Sequence, residues 1–311
     1  PYFLAFLEHY PSVTDLAKAP EADVLRLWQG LGYYSRARNL HKCAQTVTNQ
    51  FAGEFPTTYD ELLKLPGIGP YTAAAIASIS FNETIPVVDG NVYRVLSRAF
   101  NIDVDIANGT AYKTFFELAA QLIDSKQPGN FNQAVMELGA LVCSPKSPSC
   151  SECCINHLCQ SMKLGIQEQL PVKTKKTKKR DRYFNYIDLI LGKNRALRQR
   201  TSKDIWQGLF EFYLIETTKP TAFDTLGDEL LESIISSTNV VQAGEPTIKH
   251  VLSHQNLHTS FIRITLDDTT ENRAILKRNG LTLYDQEEAD NLAKPILIAN
   301  YLNRTAISID L

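Results

Sequence analysis

The chain has 311 residues, 44% of them hydrophobic, with a formal net charge of −2. That length sets a prior of about two domains with ample apolar material for real cores. No run approaches the roughly 20 apolar residues of a membrane-spanning helix, and no signal-peptide pattern opens the chain, so no membrane partner is expected.

The first residues, Tyr2, Phe3, Phe6 and Leu7, form an apolar, helix-like run that begins at Pro1 without an initiator Met. The expectation is that a true N-terminus has been lost. Apolar spacing at three and four residues then predicts helices over 23–29, 35–51, 60–65, 71–80, 91–100, 110–123 and 131–142. Val24, Leu27 and Leu31 illustrate the period, as do Phe115, Leu118, Ala119 and Leu122. Short Gly/Pro turns separate these segments, which together read as an all-α domain.

Lys173–Arg182, KTKKTKKRDR, holds seven basic residues against one Asp. It reads as a solvated linker that is also suited to phosphate contact. Beyond it the period changes to strand-like pieces at 183–191, 209–215 and 258–266, with helical segments near 225–237 and 292–302. The expected organisation is a helical domain over 1–171, a basic linker over 172–182 and an α+β domain over 183–311. The charge grows acidic after the linker, so a polyanion would be held mainly by the first half of the chain and the linker.

Three motifs carry chemistry. Cys143, Cys150, Cys153 and Cys159 are separated by six, two and five residues, a compact thiolate set for tetrahedral zinc or an iron–sulfur cube. A disulfide framework fits poorly, because Cys43 and Cys154 would be left over in a chain without secretory features. Leu65–Ala73, LPGIGPYTA, joins two helices through a turn with Gly67 and Gly69. Both glycines can expose consecutive N–H groups toward one phosphate, and an ordinary αα-hairpin is the alternative. Asp89, in VVDGNVYRVL, sits just before an apolar-periodic helix, as a helix cap or as a functional carboxylate.

Taken in order, LGYYSRARNL (31–40), LPGIGPYTA, VVDGNVYRVLSR (87–98), Phe131-Asn132-Gln133, ELGALVC (137–143) and the cysteine quartet resemble the MutY family of adenine DNA glycosylases. The resemblance runs through nearly the whole first domain. It implies an all-α helix-hairpin-helix glycosylase domain whose four cysteines hold a 4Fe-4S cluster, followed by an α+β MutT/Nudix-like domain. The implied reaction is hydrolysis of the N-glycosidic bond of adenine mispaired with 8-oxoguanine or guanine in double-stranded DNA, a step of base excision repair. Asp89 matches the carboxylate facing the sugar cation, Tyr71 a tyrosine lining the sugar site and Asn91 a polar neighbour. Tyr33 matches the aromatic wedge; Gly67, Gly69, Gln133 and Lys146 are the other DNA-binding positions. A tyrosine at 71, where the endonuclease III branch places a lysine, implies a monofunctional glycosylase. The resemblance further implies a monomer in a bacterial cytoplasm, with replication or repair proteins as possible partners.

After Tyr183 the resemblance is weaker. LRQR (197–200) and DIWQGLFEF (204–212) are similar to the opening strands of the MutT-like domain that reads 8-oxoguanine, and no Nudix hydrolase signature lies between Gly208 and Pro246. Leu252-Ser253-His254 aligns with a Phe-Ser-His loop, so Ser253 and His254 are the expected lesion-recognition residues, with Leu252 in place of the ring. One departure concerns the general acid, a glutamate that the family carries about a dozen residues before the position of Pro1. Residues 1–311 alone are therefore expected to cleave poorly. An endonuclease III-like lyase and a non-catalytic iron–sulfur DNA-binding protein are the alternatives.

Overall fold

A computed structural model describes residues 1–174, 179–235, 241–242 and 247–306. The chain divides into two compact units, residues 42–176 and residues 1–41 with 177–311.

Helices α1 (Tyr2–His9), α2 (Val13–Lys18), α3 (Glu21–Leu27) and α4 (Tyr34–Gln50) come first. α2 has little apolar period and was not expected. Its start is fixed by a capping box in which Ser12 accepts from the Asp15 N–H and the Asp15 carboxylate accepts from the Ser12 N–H. α3 stops at Leu27, short of the expected end at 29: the Gln29 N–H tightens to the Arg26 carbonyl at 3.1 Å and Gly30 turns left-handed at φ +99°.

The unit of residues 42–176 is helical. It contains α5 (Tyr59–Leu62), α6 (Pro70–Phe81), α7 (Gly90–Phe100), α8 (Ala111–Leu122), α9 (Pro128–Glu137) and α10 (Gln160–Leu164). α5 ends before the expected 65, since Lys64 and Leu65 make tight i−3 bonds to Glu61 and Leu62. α9 runs on as a π-helical turn, Leu138–Val142. Val92 and Leu96 bury one face of α7, with Val88 just ahead of it, against Phe115 and Ala119 of α8. α6 buries only small residues, Ala73, Ala74, Ala77 and Ser78, so α9 can lie close: a Cβ at Gly129 would stand 2.8 Å from the Ser78 carbonyl oxygen. At the end of this unit the linker begins pinned, with the Ile106 N–H donating to the Val172 carbonyl at 3.0 Å. The middle of the basic run, residues 175–178, lies outside the described residues.

The other unit is built on a mixed sheet. Its strands are β1 (Arg180–Leu191), β2 (Asn194–Gln199), β3 (Phe210–Glu211), β4 (Tyr213–Thr217), β5 (Val241–Gln242), β6 (Ile248–Val251), β7 (Gln255–Leu266) and β8 (Thr282–Tyr284). The order is β3-β2-β1-β7-β5, with β4 on β1, β6 on β7 and β8 on β2. β1 and β7 pair in parallel from Arg180↔Gln255 to Leu191↔Leu266. The single strand expected over 209–215 is split at Phe212, because the chain there changes partner from β2 to β1 and sends the ring into the core. Helices α11 (Glu229–Ile235), α12 (Thr270–Arg278), α13 (Gln286–Asn291) and α14 (Ile296–Ala306) complete the unit. The helix expected over 225–237 begins only at Glu229, and residues 236–237 lie outside the described residues.

Period-two alternation divides β1 between two cores. Phe184 and Tyr186 join Phe212, Phe261 and Tyr301, while Ile187, Leu189 and Leu191 meet Leu230 and Leu231 of α11 and Leu276 of α12. Leu25, Tyr34 and Ala37, from the first 41 residues, belong to the first of these cores.

Candidate functional site

α7 starts where it does because Asp89 caps it. The extended backbone of Asp89 brings Oδ1 to the N–H groups of Asn91 at 2.8 Å and Val92 at 2.7 Å. The other oxygen, Oδ2, accepts from Asn91 Nδ2 at 2.9 Å. The carboxylate is thus both a cap and a half-buried group of defined orientation. Arg94, one turn on, donates through Nη2 to Asn91 Oδ1 at 2.8 Å and to the Gly139 carbonyl at 2.6 Å, and through Nε to the Cys143 carbonyl at 2.6 Å. Burial pushes the Arg94 guanidinium below its ordinary value, partly offset by Cys143 and Asp89. Sequence reasoning did not single out Arg94. The available signal was its spacing, three residues after Asn91 on one helix face.

Tyr71, on the first turn of α6, is 45% exposed and donates to Met136 Sδ at 3.8 Å. Met136 in turn packs on the cluster of Val88 and Val92, which flank Asp89 in sequence. Tyr71, Asp89 and Asn91 are therefore tied to one part of the helical unit. The two glycines of the hairpin differ. Gly67 lies in the left-handed region at φ +76°, whereas Gly69 is extended at φ −93° and needs no special freedom. What Gly69 contributes is clear space, since a Cβ there would meet nothing within 4 Å. No side chain caps α6, so the N–H groups of its first turn are left for solvent or a ligand. Gln133 is exposed on α9 and donates to Glu137 Oε1 at 2.8 Å. Lys146 is exposed in a loop whose shape is held by Ser144 Oγ donating to the Lys146 carbonyl at 2.8 Å.

Cys143, Cys150, Cys153 and Cys159 line one cavity. Arg98 of α7 closes it: Nη1 donates to Cys143 Sγ at 3.3 Å and to the Ser144 carbonyl at 2.8 Å. Burial pushes the thiols of Cys150 and Cys153 up. Among the described residues no three His, Cys, Asp or Glu side chains stand together as a set for a single metal ion. The donor set around the cavity, four thiols of one soft type beside a guanidinium, fits a soft, anionic centre. Cys154 is exposed and Cys43 is buried.

In the unit of residues 1–41 and 177–311, Tyr33 and Ser253 meet through their hydroxyls. Tyr33 is 60% exposed at φ +48°, with the Arg36 guanidinium 5.1 Å from its ring centre. Tyr33, Leu252, Ser253, His254, Asp204 and Trp206 line a cleft of about 470 Å³. Leu252 also packs on the core of the sheet. Burial pushes the Asp204 carboxyl up, but hydrogen bonds from Arg182, the Ile205 N–H and Arg200 outweigh it and hold the value at about 2.

Two known families match parts of the chain: the HhH-GPD superfamily base excision DNA repair proteins over residues 1–121, and the NUDIX domain over 189–304. The adenine DNA glycosylase of Buchnera aphidicola subsp. Schizaphis graminum is 30% identical over 295 residues, covering 95% of this chain and 83% of that protein. The human adenine DNA glycosylase is 46% identical over 170 residues, 54% of this chain but 31% of that protein. The chain thus spans about a third of the length of its human and mouse relatives. A solved endonuclease III, trapped covalently on DNA, is 25% identical and covers 53% of this chain and 76% of that one at a TM-score of 0.47.

Proposed function

The chain belongs to the adenine DNA glycosylase family, and from that premise we propose that it hydrolyses the N-glycosidic bond of adenine paired with 8-oxoguanine or guanine in duplex DNA. The observation that carries this reading is the Asp89 carboxylate, held by two N–H groups and by an amide whose far end is fixed by Arg94.

The nucleotide must first leave the base stack, which costs a few kcal/mol. The uncapped first turn of α6 and the clear space at Gly69 suit one backbone phosphate. The exposed Tyr33 ring suits the gap in the stack, and Ser253 with His254 suits the edge of the oxidised guanine. When the C1′–N9 bond breaks, its electron pair leaves with adenine and the sugar becomes an oxocarbenium ion; adenine takes its proton from solvent water, a slow route in keeping with poor cleavage by residues 1–311 alone. Asp89 meets that cation by charge or by a transient ester at C1′, and water then completes an abasic site. Tyr71 offers a phenol rather than an amine, so no Schiff base forms and the strand is not cut.

Cys143, Cys150, Cys153 and Cys159 would hold a 4Fe-4S cluster. Bound there, the cluster supplies a rigid anchor for the Ser144–Ser149 loop. Lys146 on that loop and Gln133 on α9 are exposed and suit phosphate contacts.

The test is binding to duplexes that carry either a cationic pyrrolidine or a neutral tetrahydrofuran abasic analogue opposite 8-oxoguanine. Tighter binding of the cation, lost on Asp89→Asn, supports the proposal. Equal binding of the two analogues by the unaltered protein overturns it.

A further inference from the structure

The geometry points to Asn132 as the positioning residue that sets where the Asp89 carboxylate stands. The inference rests on Asp89 facing the sugar cation, and it adds a group outside α7 on which that placement depends.

The partners that orient the Asp89 carboxylate, Asn91 and Val92, lie on its own helix. They fix the carboxylate relative to α7 and say nothing of where α7 begins relative to α6, which carries Tyr71. That relation depends on the segment between the two helices. Its last residues, Pro86, Val87 and Val88, are buried and form neither helix nor strand, so their main-chain groups need partners from elsewhere.

Asn132 supplies one at Val87 and another at Ile85, just before Pro86. It lies on α9 and is 2% exposed. Its Oδ1 accepts from the Val87 N–H at 3.0 Å, while Nδ2 donates to the Ile85 carbonyl and to Ser78 Oγ, both at 2.9 Å. Ser78 Oγ donates onward to the Ala74 carbonyl at 2.7 Å. Both ends of the amide are engaged, so its orientation is fixed by its partners. One side chain therefore joins α6, the segment entering α7, and α9. The distance of α9 from α6 is itself set by Gly129 against the Ser78 carbonyl. Val87 is two residues from Asp89, and Val88 is locked in the core of this unit, which leaves little chain to absorb an error.

The test uses the full chain and the same pair of abasic analogues. Asn132→Leu keeps similar bulk and removes all three bonds; Asn132→Ala is the milder variant for use if the first does not fold. Ser78→Ala removes one partner of Nδ2 and leaves Val87 and Ile85 held. The expected result is that the Asn132 variants lose preference for the cation by about tenfold, a misplacement effect, while binding to the neutral analogue is retained. Ser78→Ala lowers the melting temperature and leaves the preference intact. A retained preference in the Asn132 variants overturns the inference, as does an equal loss in Ser78→Ala, which would mark a general loosening. If the unaltered protein shows no preference at all, the assignment of Asp89 has failed instead.

Discussion

The Arg94 guanidinium donates to Asn91 Oδ1 at 2.8 Å, which leaves the other end of that amide facing Asp89 Oδ2. Arg94→Met frees the amide to rotate and presents its oxygen to the carboxylate. Preference for the cationic abasic analogue should fall about tenfold, the scale of losing a charge-assisted bond of roughly 1.5 kcal/mol. Affinity titrations on the two analogues check this; an unchanged ratio contradicts it.

Tyr33 and Ser253 share a hydrogen bond, so their substitutions should not add. Tyr33→Phe and Ser253→Ala each reduce discrimination of A:8-oxoguanine from A:G duplexes. The double variant is expected to fall short of the sum by about 1 kcal/mol. Strict additivity would separate the two residues into independent roles.

The hairpin glycines should respond differently. Gly67→Ala places a Cβ at φ +76° and should cost about 1–2 kcal/mol in denaturant unfolding. Gly69→Ala meets no atom and an ordinary φ, so stability should move by less than about 0.5 kcal/mol. Duplex binding should nevertheless weaken, since the new methyl occupies the space assigned to a phosphate.

Acid should loosen the unit that holds Asp204. Its folded value of about 2 lies below the ordinary 3.8, so its contribution is complete above about pH 3.8 and disappears as pH falls toward 2. After solvent screening of this part-exposed group the effect is roughly 1 kcal/mol. Asp204→Asn should flatten unfolding stability across that window; an unaltered pH slope would show that the Arg182 and Arg200 contacts carry no linkage.

Iron removal should act on binding. Chelation, or Cys150→Ser, should strip iron and sulfide from the protein and weaken duplex affinity, because the Ser144–Ser149 loop loses its anchor. Full affinity after complete iron loss would contradict that role for the quartet.

Much of the helical unit was legible because its signals are local. Periodic apolar residues mark α7 and α8, and Asp89 announces the start of α7. Local spacing also picked out the cysteines as a set, whereas Tyr71 was named through the family resemblance. Arg98 and Asn132 were not legible as parts of a site, because their partners lie up to 72 residues away, as between Arg98 and the Leu170 carbonyl, and Arg94 offered only its spacing from Asn91. The break at Phe212 was hidden for the same reason, since a strand changes partner without any change in its own alternation. Tyr33 and Ser253 could be assigned separately from their motifs, but their contact spans 220 residues.

The core shared by Leu25, Tyr34 and Ala37 with Tyr186, Phe261 and Tyr301 has a consequence for synthesis. Arg26 bonds to Asn291 and Gln29 to Lys294, partners 265 positions apart. During synthesis, Leu25, Tyr34 and Ala37 must wait for these core partners until α14 has been made. Closing so long a loop is slow and exposes the nascent chain to aggregation. Residues 42–176, a compact unit of their own, can fold during the interval.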